Sequence, residues 1–277
     1  MTPSRAVLEA LSAYEWAVSS KPRGLSGPPL GAGAGQSTEF LDHRKYVAGD
    51  DIRRIDWNVV ARTDQLLIKR YQEEIRPSVV VLVDDSSSMS VYPDKAQATY
   101  DAVAWIHQSL SGLEATVKVL GLEQGSLNDL QTVRGDWQTA SVSTLAEGIP
   151  RRLQTIPQGS HVVLISDLLS PHDPSRLALM LRQRAHRCTV IQVLGHEDWQ
   201  VELGRIQMQD SETGEIRTLT VDQQMLDRYH QRVEQLQTDW RTALQGWGEL
   251  LVFQCPQHWT TLAEALLITG CLSVRTG

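Results

Sequence analysis

The chain has 277 residues, of which 41% are hydrophobic and 21% are charged. This composition is typical of a folded globular protein and excludes a disordered or collagen-like chain. Acidic residues outnumber Lys and Arg by 33 to 26, and the resulting formal charge of -7 argues against general binding of nucleic acid or anionic lipid. The length allows one large domain, or one domain with an extension.

The cysteines and the distribution of apolar residues indicate a cytoplasmic protein. Cys188, Cys255 and Cys271 are widely spaced and lie in apolar stretches, which favours reduced core thiols over disulfides or a zinc cluster. Acidic residues interrupt the N-terminal stretch, and no run of the sequence approaches the ~20 apolar residues of a membrane span. We therefore expect neither secretion nor membrane insertion.

The N-terminal part of the chain differs in composition from the rest. The spacing of apolar residues predicts a helix from about Ser4 to Ser19, and the Gly, Pro and Ser residues of 21–37 predict a loop. The following segment, Glu39 to Arg76, mixes both charge signs with aromatic residues. We predict that residues 1–76 form an extension packed on a main domain of residues 77–277.

The charged arm within this extension has two interpretations. Its Arg and Asp residues favour an ion-pair lattice with stacked guanidinium groups that fastens the arm to the sheet domain, and Leu66 to Tyr71 predicts a short strand. The alternative is partner docking, because Arg and Trp also mark interaction hot spots. The residues concerned are Arg44, Tyr46, Asp50, Asp51, Arg53, Asp56, Trp57 and Arg62.

The main domain alternates short apolar strands with helices. Predicted strands are Ser78–Val83, Thr116–Leu120, His161–Ser166, Thr189–Leu194 and Leu250–Gln254. Predicted helices are Ala96–Leu110, Leu145–Leu153, Ser175–Arg184, Asp222–Trp247 and Thr260–Leu267, with a hairpin at Ile206–Thr220. Continuous apolar strands separated by helices are buried on both faces, which predicts an α/β fold with a doubly wound, mostly parallel sheet.

Oxygen-bearing side chains follow two of these strands. Asp84, Ser86 and Ser88 form D-x-S-x-S after the first strand, Asp167 follows the third, and Thr144 opens the helix between them. Ligands bind at the carboxyl ends of strands in such sheets, and Mg²⁺ prefers hard oxygen ligands of this kind. The plainer alternative is a Ser-rich turn in which Asp and Ser cap the next helix.

These residues resemble a known family. Asp84, Ser86, Ser88, Thr144 and Asp167, in that order, look like the metal-ion-dependent adhesion site of von Willebrand factor A domains. The preceding YVAGDDIRRIDW segment resembles bacterial proteins of domain-of-unknown-function family 58. This resemblance implies a von Willebrand A-like, Rossmann-like fold, a Mg²⁺ or Mn²⁺ ion held by those five residues, and association with a MoxR-type AAA ATPase.

The sequence departs from the pattern of that site in two places. The third loop reads Ser166-Asp167-Leu168-Leu169, which keeps the acid of T-x-D-G but not the glycine after it. In the second loop, Ser143 lies beside Thr144 and is an alternative ligand.

The patterns of familiar hydrolases are not met. Ser86 stands where an aspartyl phosphatase has its second Asp, and the serine cluster lacks the glycines of G-x-S-x-G. We expect no enzyme and no catalytic residues; the alternative is a metal-dependent hydrolase using Asp84 and Asp167, with Glu147 as a possible third group. The expected function is metal-dependent protein binding, in which a partner carboxylate completes the Mg²⁺ site and an ATPase acts with the chain on a client protein.

Overall fold

The structure, a computed structural model, describes residues 14–16, 38–73, 78–111, 115–122, 125–126, 144–211, 214–255, 259–270 and 272–274. The predicted loop at 21–37, Ser143 and Cys271 lie outside these ranges. The chain divides into two compact units, one of Ser20–Arg76 and one of Met1–Ser19 with Pro77–Gly277. Among the helices in the described ranges, none combines the length and apolarity that a membrane span requires.

The elements alternate along the chain. The strands are β1 (Tyr14–Trp16), β2 (Thr38–Lys45), β3 (Leu67–Glu73), β4 (Ser78–Val83), β5 (Thr116–Gly121), β6 (Gly125–Ser126), β7 (Ser160–Ser166), β8 (Ala185–Leu194), β9 (Gly204–Gln209), β10 (Ile216–Val221), β11 (Gly248–Gln254) and β12 (Leu272–Val274). The α-helices are α1 (Trp57–Thr63), α2 (Pro93–Ser111), α3 (Leu145–Arg152), α4 (Pro174–Arg182), α5 (His196–Trp199), α6 (Gln223–Leu244) and α7 (Trp259–Ile268). Short 3₁₀ turns lie at Ile52–Arg54, Ser87–Met89 and Leu153–Thr155.

The main sheet has the strand order β11-β8-β7-β4-β5-β6. The pairings from β11 to β5 are all parallel, and only the two-residue edge strand β6 is antiparallel. The chain passes from β4 to β5 on one side and later returns to place β7 on the other side of β4. The strand order therefore reverses next to β4, which is where α/β sheets bind ligands.

Helices cover both faces of this sheet. Val81 of β4 belongs to an apolar cluster with α2 and α7, whereas its neighbour Val80 belongs to a second cluster with α3, α4 and α6. Alternate residues of a strand point to opposite faces, so a strand buried on both sides needs an unbroken apolar run. The predicted doubly wound α/β fold is confirmed, and its five strands and five helices are present with ends shifted by a few residues.

Polar residues set the ends of several helices as the sequence suggests. Asp173 accepts backbone N–H bonds at the start of α4, where Pro174 takes the first helical position, and Asp222 caps α6. The predicted hairpin forms from β9 and β10. Cys188 and Cys255 are buried free thiols, as expected.

The predicted N-terminal helix is wrong where the structure can test it. Tyr14–Trp16 form β1, which pairs antiparallel with β12 near the other end of the chain. The other residues from about Ser4 to Ser19 lie outside the described ranges. Aromatic residues favour extended backbone, and a partner strand so distant in sequence leaves no local pattern that would distinguish β1 from a helix.

The smaller unit contains an antiparallel pair, β2 with β3, and α1 between them in sequence. The predicted strand at Leu66–Tyr71 is confirmed by β3. Ile55 and Ile68 are buried and form an isolated antiparallel bridge. Asp56, the residue before α1, accepts the N–H of Asn58 and so caps that helix.

Candidate functional site

Asp84 begins the loop after β4 and is firmly held. Its backbone N–H donates to the carbonyl of Ile165 at 2.9 Å, which continues the ladder between β4 and β7. Its side chain accepts the N–H of Ser86 at 3.1 Å on Oδ1 and the hydroxyl of Ser166 at 2.6 Å on Oδ2. The residue is only 4% exposed, so this carboxylate lies buried at the end of the sheet.

The serine hydroxyls of the same loop face each other. Ser86 Oγ lies 3.1 Å from Ser88 Oγ. Ser86 is the N-cap residue of the 3₁₀ turn that follows, yet its side chain makes no capping hydrogen bond. Ser87, between them, donates instead to the carbonyl of Ser211 beyond β9. The capping alternative therefore does not account for the Ser86 hydroxyl, which contacts Ser88 and Asp84 instead.

Asp167 occupies the matching position after β7. Its Oδ1 accepts the N–H of Leu169 at 3.0 Å, and its backbone carbonyl accepts an N–H of Gln192 at 2.8 Å. Leu168, which replaces the glycine of the T-x-D-G pattern, adopts a left-handed conformation with φ of 61° and is completely buried. The N–H of Leu168 donates to Ser166 Oγ at 3.0 Å, and Ser166 in turn donates to Asp84. The first and third loops are thus joined through one hydroxyl.

Thr144 is the N-cap residue of α3 and is half-buried. Its hydroxyl does not make the capping bond that threonine usually provides. Among the residues that the structure describes, no hydrogen bond joins it to the other four candidates. The choice between Thr144 and Ser143 stays a prediction, since Ser143 is outside the described ranges.

A buried lysine also belongs to this region. Lys95, near the start of α2, places Nζ 2.6 Å from Asp167 Oδ2 and 2.9 Å from Asp198 Oδ2, with its side chain 1% exposed. Asp198 lies in α5, after β8, and also accepts the N–H of Gly195. Burial alone favours the neutral amine, but the two carboxylates outweigh it and raise the pKa of Lys95.

The electrostatics of Asp84 are different. Burial raises the pKa of Asp84 to about 6, and the nearby charge of Asp167 adds to this, although the hydrogen bonds from Ser166 and Ser86 oppose it. Asp85 is equally buried at 4% exposed. The carboxylate of Asp84 therefore lies in a poorly solvated place beside a second negative charge, that of Asp167.

A cleft of about 340 Å³ opens over these loops. All of its lining residues belong to the larger unit: Ser88, Val91, Tyr92, Lys95, Asp167, Leu169, Ser170, Pro171, Asp198, Gln209, Asp210 and Ser211. Within the described part of the chain, no group of three or more His, Cys, Asp or Glu side chains is arranged to hold a metal. A cation at this place would therefore depend on hydroxyl oxygens and solvent as well as on carboxylates.

Comparison with known proteins places the chain in a family. Residues 42–239 match the family model described as a protein of unknown function, DUF58. The chain belongs to the DUF58 family.

Relatives and a solved structure resemble this DUF58 chain at low identity. Uncharacterized proteins of Mycobacterium bovis and Mycobacterium tuberculosis are 26% identical to it, over 90% of this chain and 85% of their own lengths. The crystal structure of an aerotolerance-related membrane protein from Bacteroides fragilis, with multiple mutations to serines, aligns with a TM-score of 0.40 at 12% identity. That alignment covers 70% of this chain and 98% of the other.

The arm residues of the smaller unit make local contacts. Arg44 donates to both oxygens of Asp50 at 2.7 Å, and Asp50 also accepts the N–H of Val47. The hydrogen bond from Arg44 and that from Val47 lower the pKa of Asp50 to about 2.

Other members of the arm cap helices or are open to solvent. Asp51 accepts the N–H of Arg53, and Asp56 lies 3.0 Å from the ring of His43. Arg53, Trp57 and Arg62 are exposed, and Tyr46 is half-buried, with its N–H donating to the carbonyl of Leu66. The partner-docking role of the arm stays a prediction.

Three residues of the site are absent from the sequence-based candidates. Lys95 lies one residue before the predicted helix start at Ala96, whereas the structure starts α2 at Pro93 and so includes it. Asp198 follows β8, so the carboxyl-end rule that selected Asp84 and Asp167 could have selected it too. The sequence predicts Ser166 only as the last residue of a buried strand, and no sequence pattern indicates its hydrogen bond to Asp84.

Proposed function

We propose that this chain is a protein-interaction module whose binding depends on a divalent cation, Mg²⁺ or Mn²⁺, held at the carboxyl ends of β4 and β7. The observation that carries the proposal is the pairing of a buried, hydrogen-bonded Asp84 with two mutually facing serine hydroxyls at the strand-order reversal. Asp84, Ser86 and Ser88 would hold the cation directly. Thr144 would add a hydroxyl from the second loop, and Asp167 would act from the third.

The residues present fit such a cation. Carboxylate and hydroxyl oxygens are the ligands that Mg²⁺ accepts, and Mg²⁺ commonly retains several waters. The Thr144 hydroxyl is not used for capping, so it remains available as a ligand. Asp167, unlike Asp84, already has an ammonium group on one of its oxygens, since Lys95 Nζ lies 2.6 Å from Oδ2, and this favours an indirect role through water. The cation supplies electrophilic character, and the chain orients the oxygens around it.

A partner protein would bind by filling a free position in the coordination sphere of the cation. With few protein charges around it, the cation would stay attractive to a Glu or Asp side chain from another protein. The cleft over the site is large enough to admit such a side chain. The family resemblance suggests a MoxR-type AAA ATPase as a companion, with the pair assembling or activating a client protein complex.

A hydrolase using Asp84 and Asp167 is the less favoured function. A general base needs an oxygen free to take a proton from water. Asp167 instead shares one oxygen with the Lys95 ammonium and the other with a backbone N–H. Metal-dependent turnover of a phosphoester or peptide would contradict the assignment as a pure binding module.

Titration of the metal-free protein with Mn²⁺, followed by electron paramagnetic resonance, tests the site. We expect saturable binding by the wild-type protein and a loss of more than about ten-fold in affinity for Asp84→Asn, which removes a charge but keeps the shape. Asp239→Asn is a matched control because Asp239 is exposed on α6 and bonded only locally to Gln235. Equal Mn²⁺ affinity in wild-type protein and Asp84→Asn would refute the site.

The partner is tested separately. A purified MoxR-type ATPase from the same organism should bind the chain in Mg²⁺ and lose that binding in EDTA or with Asp84→Asn. Binding that is insensitive to both changes would refute the role of the cation in partner capture. A pull-down from native lysate with and without EDTA, analysed by mass spectrometry, would identify the client.

A further inference from the structure

The buried ammonium of Lys95 is a fixed positive charge at the wall of the cleft. Lysine is rarely buried, because removing its charge from water is costly unless carboxylates surround it. Here the cost is met by Asp167 and Asp198, whose oxygens lie 2.6 and 2.9 Å from the ammonium nitrogen. An apolar side chain would pack α2 without this cost, so packing alone does not explain why a lysine lies at this position.

The two carboxylates bring together the loops after neighbouring strands. Asp167 follows β7 and is also held by the N–H of Leu169, whereas Asp198 follows β8 and is also held by the N–H of Gly195. Lys95 comes from α2, which follows β4. One ammonium therefore links the three segments that follow β4, β7 and β8 along the switch point of the sheet.

Positive charge is distributed unevenly over the site. Lys95 compensates Asp167 and Asp198, but Asp84 accepts hydrogen bonds only from uncharged donors, Ser86 and Ser166. Among the residues that the structure describes, no ammonium or guanidinium group forms an ion pair with Asp84. The chain thus provides its own cation for Asp167 and Asp198 and provides none for Asp84.

We propose that Lys95 is a positioning residue that weakens the binding of the divalent cation and thereby keeps that cation open to a partner's carboxylate. The inference rests on the proposed function, since it requires a cation at Asp84, Ser86 and Ser88. The ammonium repels a divalent cation and engages Asp167 Oδ2, so fewer protein charges neutralise the cation. A less neutralised cation attracts an incoming carboxylate more strongly, and it exchanges partners more readily.

Lys95→Met removes the charge and keeps much of the length and apolar volume of the side chain. With Asp167 and Asp198 no longer compensated, we expect the dissociation constant for Mn²⁺ to fall about ten-fold or more, measured by electron paramagnetic resonance in Mg²⁺-free buffer. Lys95→Arg keeps the charge and should remain within about three-fold of the wild-type value. Water-proton relaxation should report fewer solvent positions on bound Mn²⁺ in Lys95→Met than in wild-type protein.

Asp198→Asn provides the opposite change at the same ion pair. Removing this carboxylate leaves more of the ammonium charge uncompensated, so Mn²⁺ binding should weaken by about three- to ten-fold. A lysine with only a structural role would weaken Mn²⁺ binding in both variants, because both break the same contact. The opposite signs in Lys95→Met and Asp198→Asn are therefore specific to the proposed role.

Each outcome either supports or overturns the inference. Unchanged or weaker Mn²⁺ binding by a folded Lys95→Met, checked by circular dichroism, would overturn it while leaving the metal site intact. If Lys95→Met fails to fold, Asp198→Asn decides, and unchanged or tighter binding would overturn the inference. Failure of the proposed function has another signature: wild-type protein and every variant would bind no Mn²⁺ at millimolar concentration, and both proposals would then fall.

Discussion

Asp84→Asn is expected to stabilise the metal-free protein while it removes metal binding. Burial and the neighbouring Asp167 raise the pKa of Asp84 from 3.8 to about 6, so keeping it ionised at neutral pH costs about 3 kcal/mol of folding free energy. An asparagine avoids this cost, but it accepts the hydrogen bonds from Ser86 and Ser166 less well than a carboxylate does. This loss lowers the stability gain by about 1 kcal/mol. The expected net gain is about 2 kcal/mol.

Urea unfolding in EDTA at pH 7.5, followed by tryptophan fluorescence, measures this gain. For a domain of this size, the midpoint of thermal unfolding should also rise by about 4 to 8 °C. Because the pKa of Asp84 is higher in the folded than in the unfolded protein, Asp84 becomes protonated in the folded protein first as the pH falls through about 6 toward 3.8. The wild-type protein then no longer bears the cost of a buried charge, so the stability advantage of Asp84→Asn should vanish near pH 4. If Asp84→Asn is no more stable than wild-type protein at pH 7.5, a compensating charge must already lie at Asp84 and the reasoning about this site is wrong. Asp239→Asn should change neither measurement.

Ser166→Ala removes the hydroxyl that joins the first and third loops, so we expect Mn²⁺ binding to weaken several-fold and stability to fall by about 1 to 3 kcal/mol, measured by titration and urea unfolding. Burial holds the pKa of His161 down to about 3, so the contribution of this residue to wild-type stability should fall by about 1.4 kcal/mol per pH unit as the pH drops from 6.5 toward 5. His161→Asn should remove that part of the decline, and parallel pH profiles for the two proteins would contradict a buried neutral histidine. Gly248→Ala would place a Cβ 2.2 Å from the carbonyl oxygen of Cys188, so we expect about 3 kcal/mol or more of lost stability in urea, and a neutral result would contradict this close approach of β11 to β8.

The central sheet was predictable because its strands bury both faces. The buried positions of a strand such as β4 must then all be apolar, and after Ser78 this strand consists of four valines and one leucine. The pairing of β1 with β12 was not predictable, since it joins segments at opposite ends of the sequence and each is three residues long. Short strands with distant partners carry almost no local pattern.

The candidate site was predictable only in part for a related reason. Asp84 and Asp167 directly follow apolar strands, so the topology rule places them at one edge of the sheet. Lys95 depends on tertiary structure: it is buried because Asp167 and Asp198 come from other loops, and an isolated sequence shows only a lysine near a helix start. Ser166 is similar, since its position in β7 says nothing about which carboxylate its hydroxyl reaches.

Leu168 has a consequence for the detection of such sites in other genomes. Its left-handed backbone costs about 1 to 3 kcal/mol in a residue with a side chain, and the complete burial of that side chain offsets the cost. Glycine adopts this turn because it has no side chain, whereas here the buried side chain of Leu168 stabilises the same turn. Search patterns that require glycine after the acidic residue will therefore overlook proteins that build the same turn with a leucine, and a pattern that accepts either residue would recover them.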